Sequence, residues 1–154
     1  MTPAPIVRHA EFRATPDELF DAFTVQELLT QWFAQHADLD VRDDGWWTFT
    51  WPPYMAARGR YITVDRPHHL VWTWDVSVQD TRVAPESGET HSSVTMDYTF
   101  TTLEDGRTRL DIIESGHDTD EIARMNADGI DQMLDQLRKF IEDDEHVDWT
   151  IQPD

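Results

Sequence analysis

The residues best placed by type and spacing to do chemistry are Glu114 and Tyr98. Leu110, Ile112 and Glu114 recur at every second position, so a strand that buries the first two carries Glu114 onto the same face. A carboxylate there loses water and its pKa rises, which suits it to give or take a proton. Tyr98 lies on the inner face of a second run, Val94, Met96, Tyr98 and Phe100, where its hydroxyl can donate to a carbonyl. His117, three residues beyond Glu114, is the third acid/base candidate. The plainer expectation, and the one the sequence favours, is that Glu114 sits at a strand end, exposed or paired with Arg58 or Arg60.

Other chemistries find little support. The seven His (His9, His36, His68, His69, His91, His117 and His146) form neither HxxxH nor HxH, so no metal site is expected. There is no cysteine, which excludes disulfides, thiol catalysis and Cys-ligated zinc and points to the cytoplasm. No GxGxxG, P-loop or GxSxG occurs, and no cofactor is called for.

A net charge of −19 argues against nucleic acid and anionic membranes as partners. Lys139 is the one lysine among twelve basic residues, and so acid-rich and lysine-poor a surface suits a high-salt cytoplasm. No run approaches the roughly 18 apolar residues of a membrane span. The opening MTPAPIVRHAEF lacks a basic segment followed by an apolar one, so no secretory signal is expected. Hydrophobic content of 39%, with seven Trp and seven Phe, is enough for a real core in one domain over 1–154, with its body at about 6–144 and an acidic tail at 145–154 that Trp149 could dock.

The elements follow from pattern. Ile6 to Ala14 reads as a strand in which Arg8 interrupts the inward face. Thr15-Pro16-Asp17-Glu18 is a helix start, with Leu19, Phe20 and Phe23 as the apolar face. Thr24 with Glu27 predicts a second short helix before Leu28, Leu29, Trp32 and Phe33. Strands follow: one from about Asp38, one over Trp46–Trp51 after the turn at Asp43-Asp44-Gly45, a loop at Tyr54–Ala57, then strands over Gly59–Val64 and His68–Val78. Past a polar loop at Asp80–Thr90 come the strands carrying Val94 to Phe100 and Leu110 to Ile112. Asp118 to about Asp144 then reads as one long amphipathic helix, started by Asp118 and Glu121. Gly129 is its oddity, since glycine mid-helix costs about 1 kcal/mol relative to alanine. Alternating strands imply an antiparallel sheet with one wet face and a helix on the dry one, an α+β class.

The order of elements, β-α-α-β-β-β-β-β-β-α, resembles the helix-grip fold of the START-like superfamily, the group that includes the birch-pollen allergen and the polyketide cyclases. Ala14-Thr15-Pro16-Asp17-Glu18-Leu19-Phe20-Asp21-Ala22-Phe23 is similar to the family's A-x-P-E-x-V-W-x-A-L. Glu27 to Phe33 is similar to E-L-L-x-x-W-W/F, and Gly59 to Trp74 to G-x-x-x-E-V-D-P-P-x-R-L-V-x-T-W. Thr108-Arg109-Leu110 and Glu114-Ser115-Gly116 resemble T-x-L and H-S-G-F. Together these cover nearly the whole chain and resemble the branch named for the C-terminal domain of the activator of the ninety-kilodalton heat-shock chaperone's ATPase. The chain departs from the pattern at Glu114, His117 and Ile130, where the branch has His, Phe and Trp.

The resemblance implies a curved antiparallel sheet of about six to seven strands wrapped around the long helix, with a cavity between them. Trp47, Phe49, Trp51, Trp72 and Trp74 would line it from the sheet, with Met96, Tyr98 and Glu114. Trp32, Met125 and Met133 would close it, and Gly129 would leave room. Such a lining suits an apolar or aromatic small molecule. The leading expectation is a non-enzymatic binding protein. The alternatives are a cyclase- or hydratase-type enzyme using Glu114, Tyr98 and His117, and a chaperone-interaction module. Two-fold homodimers are common among proteins in general, so a homodimer is possible, though no residue marks an interface.

Overall fold

A computed structural model describes residues 3–52, 55–78 and 89–149. The elements are β1 (Ile6–Phe12), α1 (Pro16–Thr24), α2 (Gln26–Leu29), β2 (His36–Leu39), β3 (Trp46–Trp51), β4 (Met55–Asp65), β5 (His69–Val78), β6 (Glu89–Thr102), β7 (Thr108–Ser115) and α3 (Asp120–Asp143). The strands form one seven-stranded sheet in the order β1-β7-β6-β5-β4-β3-β2, and every neighbouring pair is antiparallel. With α3 across its concave face, this is the helix-grip arrangement.

Period-two patterning sets the dry face. Phe100, Leu110 and Ile112 are buried there. Ile6, Arg8, Ala10 and Phe12 share that side of β1. Arg8 fits because its guanidinium sits at the sheet edge and reaches Asp131 of α3 at 2.8 Å. From β3, Trp47 and Phe49 pack over the small residues Gly59 and Ala57 opposite them. Gly59 is required: a Cβ there would lie 2.6 Å from the Trp47 ring and 1.8 Å from the Thr73 carbonyl oxygen.

The helices pack on the same side. The Thr15 side chain caps α1 by accepting from the Glu18 N–H at 3.2 Å, and Leu19, Phe20 and Phe23 are buried. In α3 the buried residues are Ile130, Met133 and Leu137, the i, i+3, i+7 stripe of an amphipathic helix. No residue from Asp120 to Gly129 is buried.

Four local expectations change. Thr24 does not cap α2; its hydroxyl donates back to the Phe20 carbonyl at 2.9 Å, and Val25 holds the cap position without a side-chain bond. Thr119, rather than Asp118 with Glu121, starts α3, accepting from the Ile122 N–H at 3.1 Å. The hydroxyl is one residue closer to the first turn. Met55 to Ala57, expected in a loop, begin β4, and Glu89 and Thr90 begin β6; Tyr54 and the rest of the polar loop lie outside the described residues. The tail docks as far as Trp149, whose indole N–H donates to the Thr30 carbonyl at 2.7 Å. Beyond it, 150–154 also lie outside the described residues.

Candidate functional site

Four side chains from four adjacent strands form one row on the concave face. Tyr61 of β4 is registered with Trp72 of β5, Trp72 with Met96 of β6, and Met96 with Glu114 of β7. Registered partners point to the same face, and all four are buried. The Tyr61 and Trp72 rings stack, with centroids 6.3 Å apart and planes 4° from parallel. Tyr98, two residues along β6, meets Trp72 edge-on at 5.5 Å and directs its hydroxyl to the Met133 sulfur of α3 at 3.6 Å. From α1, Phe23 sits edge-on to both Trp72 and Tyr98, at 6.1 and 5.2 Å.

The end of β7 adds an acid/base pair. Gly116 has φ +98°, a left-handed conformation that a side chain resists. A Cβ there would also lie 2.5 Å from the Ser93 carbonyl oxygen. This turn precedes His117, whose Nε2 lies 3.0 Å from Glu114 Oε1. The side chains are 1% and 8% exposed. The expectation of an exposed Glu114, or one paired with Arg58 or Arg60, is therefore corrected. Arg58 is exposed, and Arg60 binds Asp75 on the wet face at 2.8 Å. Alternation put Glu114 inward, and the arginines fall on the other parity of β4. Burial pushes the Glu114 pKa up, and the bond and charge of His117 offset this only in part. Burial, and then the charge of Glu114, raise the Tyr98 phenol well above its ordinary value.

Hydrogen-bond accounting separates the aromatic residues whose polar atoms are satisfied from those whose polar atoms are not. The indole N–H groups of Trp32, Trp47 and Trp51 donate to the carbonyls of Ala22, Thr73 and Phe33, at 3.0, 3.0 and 2.8 Å. Trp74 donates to the Ser77 hydroxyl. Three buried side-chain atoms among the described residues have no partner: Tyr61 Oη, Trp72 Nε1 and His117 Nδ1. Buried polar groups are nearly always paired, and an unpaired one costs about 1–3 kcal/mol. Two of the three belong to the row, and the third belongs to the residue bonded to Glu114.

The structure brings Trp72, Met96, Tyr98, Glu114, His117 and Met133 together. It places Trp47, Phe49, Trp51 and Trp74 in a neighbouring aromatic cluster, where Trp51 and Trp74 are half-buried and stack at 6.4 Å. Trp32 joins the α1–α2 end, 5.3 Å from Phe23 and stacked on Phe140 at 6.5 Å. Met125 and Gly129 are corrections. Met125 is 67% exposed, and a Cβ on Gly129 would touch nothing within 4 Å. At about 100° per residue, Gly129 is a full residue step around the helix from Ile130, just outside the buried stripe, and Met125 is further out.

Sequence reasoning missed Tyr61 and Phe23. Ala57, Gly59 and Tyr61 alternate with Arg58, Arg60 and Ile62, a signal that a bulge between Arg58 and Gly59 and another between Tyr61 and Thr63 made easy to overlook. Phe23 was readable as apolar, but its partners were not. Among the described residues, no three His, Asp or Glu side chains gather as a metal site, and no helix is long and apolar enough to cross a membrane.

A profile of the family described as Activator of Hsp90 ATPase homolog 1-like protein matches residues 13–142. The chain belongs to this family. Its fold is that of the START-like superfamily, and the solved structures it resembles agree. DynU16, a protein of the dynemicin biosynthetic locus, superposes with a TM-score of 0.77 at 14% identity, covering 93% of this chain and 49% of its own. The chain thus spans about half the length of DynU16. The Aha1 dimer from Colwellia psychrerythraea has a TM-score of 0.70 at 16% identity, covering 91% and 97%. PFC0360w, an Hsp90 activator from Plasmodium falciparum, has a TM-score of 0.55 at 18% identity, covering 74% of each chain. No curated protein matches this member of the family in sequence.

Proposed function

We propose that this chain binds a small, mainly apolar aromatic molecule between α3 and the concave face of the sheet. The observation that carries the reading is the buried row from Tyr61 to Glu114, two of whose polar side-chain atoms, Tyr61 Oη and Trp72 Nε1, have no partner. Rings supply most of such a site's affinity, and a few polar atoms fix orientation. The first ten residues of α3, Asp120 to Gly129, include none that is buried, and Ile122 and Met125 among them are exposed. They are the part of the lid that can lift at least cost for entry.

A titration followed by tryptophan fluorescence and calorimetry against a panel of polycyclic aromatics tests the reading. Saturable binding that Met96→Trp abolishes in a folded variant supports it. Binding unaffected by that substitution, or none across the panel, overturns it.

The Glu114–His117 pair favours a second reading, an acid/base enzyme of the cyclase or hydratase kind in the same site. Glu114→Gln separates the two. A binder keeps its affinity, whereas an enzyme relying on the carboxyl loses about two or more orders of magnitude in rate. A chaperone-interaction module, in the manner of the Plasmodium activator, would act through the outer surface and be indifferent to Met96→Trp. A homodimer is compatible with either reading.

A further inference from the structure

His117 anchors a stretch that little else holds. It is buried, whereas no residue from Asp118 to Gly129 is, and of these Ala127 packs partly on the core. Among the described residues, the side chains of that stretch bond only locally, as Thr119 does to the Ile122 N–H. From Ile130 onward α3 is fastened along β1. Its buried stripe begins there. Asp131 holds Arg8 at 2.8 Å, Arg138 donates to the Glu11 carbonyl at 2.8 Å, and Glu142 holds Arg13 at 3.0 Å. The start of the helix is therefore tied to the sheet chiefly by the bond from His117 to Glu114. That bond spans Gly116, whose φ of +98° turns the chain out of β7. At the far end of the loose stretch stands Gly129, in open space and the weakest helix former short of proline.

The bond depends on a proton. A buried pair with a net charge is costly, so the closed pair holds one proton. It is shared either as neutral acid beside neutral imidazole or as carboxylate beside imidazolium. The raised Glu114 pKa is in keeping with this. In water the same two groups keep no proton above about pH 6.5, where imidazole gives up its own and a carboxylic acid has already ionised. Closing at neutral pH thus takes up a proton, and opening releases it. The groups facing the pair do not replace that proton. From β6 come Met96, registered with Glu114, and Tyr98, whose phenol feels the Glu114 charge. From β1 comes Ile6, also registered with Glu114, while Arg8 is spent on Asp131. The buried residues of α3 do not titrate. Asp118, Asp120 and Glu121 follow His117 and are exposed; their charge adds to the cost of an anionic pair. Opening also gives water to His117 Nδ1, which has no partner when closed.

We propose that Glu114 and His117 form a proton-operated latch on the first ten residues of α3. Holding one proton, the pair pins the segment to the end of β7. As pH rises and the proton is lost, the segment comes free between Gly116 and Gly129. The same segment is the part of the lid that lifts for entry in the binding reading above. The latch rests on that reading for its role, which is to set ligand entry by pH.

Amide hydrogen exchange of the full chain, corrected for the intrinsic rate, tests the latch between about pH 6 and about pH 8.5. The opening constant of the amides from Ala123 to Gly129 is expected to rise by up to about tenfold per pH unit, while amides around Leu137 stay level. Glu114→Gln has no carboxyl to ionise, and its imidazole becomes a buried cation in acid. Its segment is expected to open as pH falls, the reverse of wild type. Gly129→Ala should lower opening about fivefold at every pH and leave the slope intact. Opening that ignores pH in wild type, or the same rise in Glu114→Gln, overturns the latch. Stopped-flow entry of phenanthrene, read by tryptophan fluorescence, tests its role. Entry that quickens with pH in step with opening supports it, and entry at one rate while the segment opens overturns it. Failure of phenanthrene and the rest of the aromatic panel to bind overturns the binding reading and the gating role with it, and exchange still decides the latch.

Discussion

Glu114 and His117 form a buried bond of 3.0 Å. Since burial raises the Glu114 pKa above 4.5, the folded state holds that proton more tightly than the unfolded chain. The stability this contributes is complete below 4.5 and is lost as pH rises through the folded value. Asp75, Asp105 and Glu142 are shifted down by their arginine partners and contribute the opposite slope, so the raw curve mixes both. The difference between wild type and Glu114→Gln isolates the pair. Urea unfolding should show the variant gaining on wild type between pH 4.5 and neutrality. A constant difference would mean that Glu114 is not desolvated.

Tyr61 and Thr108 give opposite results for the same kind of change. Thr108 is buried and its hydroxyl donates to the Ala14 carbonyl at 2.7 Å; Tyr61 is equally buried and its hydroxyl has no partner. Thr108→Val should cost about 1–2 kcal/mol by orphaning the carbonyl. Tyr61→Phe should leave stability unchanged or raise it by about 1 kcal/mol, because it removes an unpaired polar group while the ring keeps its stack on Trp72. Denaturant midpoints measured on both variants decide. A loss in Tyr61→Phe as large as that in Thr108→Val would mean that the hydroxyl is satisfied after all.

Gly59 and Gly129 were the two glycines whose roles pattern alone could confuse. Gly59→Ala should destabilise by several kcal/mol, since backbone and an indole ring both stand in the way of a Cβ. Gly129→Ala should stabilise by about 1 kcal/mol through helix propensity, with open space around it. For a chain of this size 1 kcal/mol is roughly 2–4 °C in melting temperature, within reach of a thermal scan. A destabilising Gly129→Ala would show that a neighbouring group approaches the helix backbone there after all.

The same pair shows what was legible. The parity of β3, β5, β6 and β7, the Thr15 cap and the inward turn of Tyr98 and Glu114 follow from local periodicity, and these made the fold readable. The long helix was readable as amphipathic, but which flank of its stripe meets the sheet depends on how it crosses, and no local pattern encodes that. Gly129 and Met125 were therefore misplaced. The partner of Glu114 was misread for a related reason. Arg58 and Arg60 were the nearest named cations, whereas the actual partner follows from Gly116 turning the chain beyond β7. Trp72 could not be told from Trp47 in the sequence, because the distinction is whether a carbonyl two strands away meets its N–H.

Charge supplies the last prediction. Arg8, Arg13, Arg42, Arg60, Arg66, Arg107, Arg109 and Arg138 all engage carboxylates. With a net charge of −19, many acidic groups are left to repel one another. Added salt acts on both populations. It weakens exposed ion pairs worth about 0–1 kcal/mol each, and it screens the excess repulsion as the Debye length falls from about 10 Å at 0.1 M to about 3 Å at 1 M. The repulsion is summed over more groups and longer distances than the pairs, so screening should dominate. The melting temperature is then expected to rise by several degrees between about 0.1 and 1 M potassium chloride, a salt chosen because sulfate would stabilise by exclusion from the surface. A flat or falling melting temperature would show that the arginine pairs already balance the surface and that the acidic excess is not an adaptation to salt.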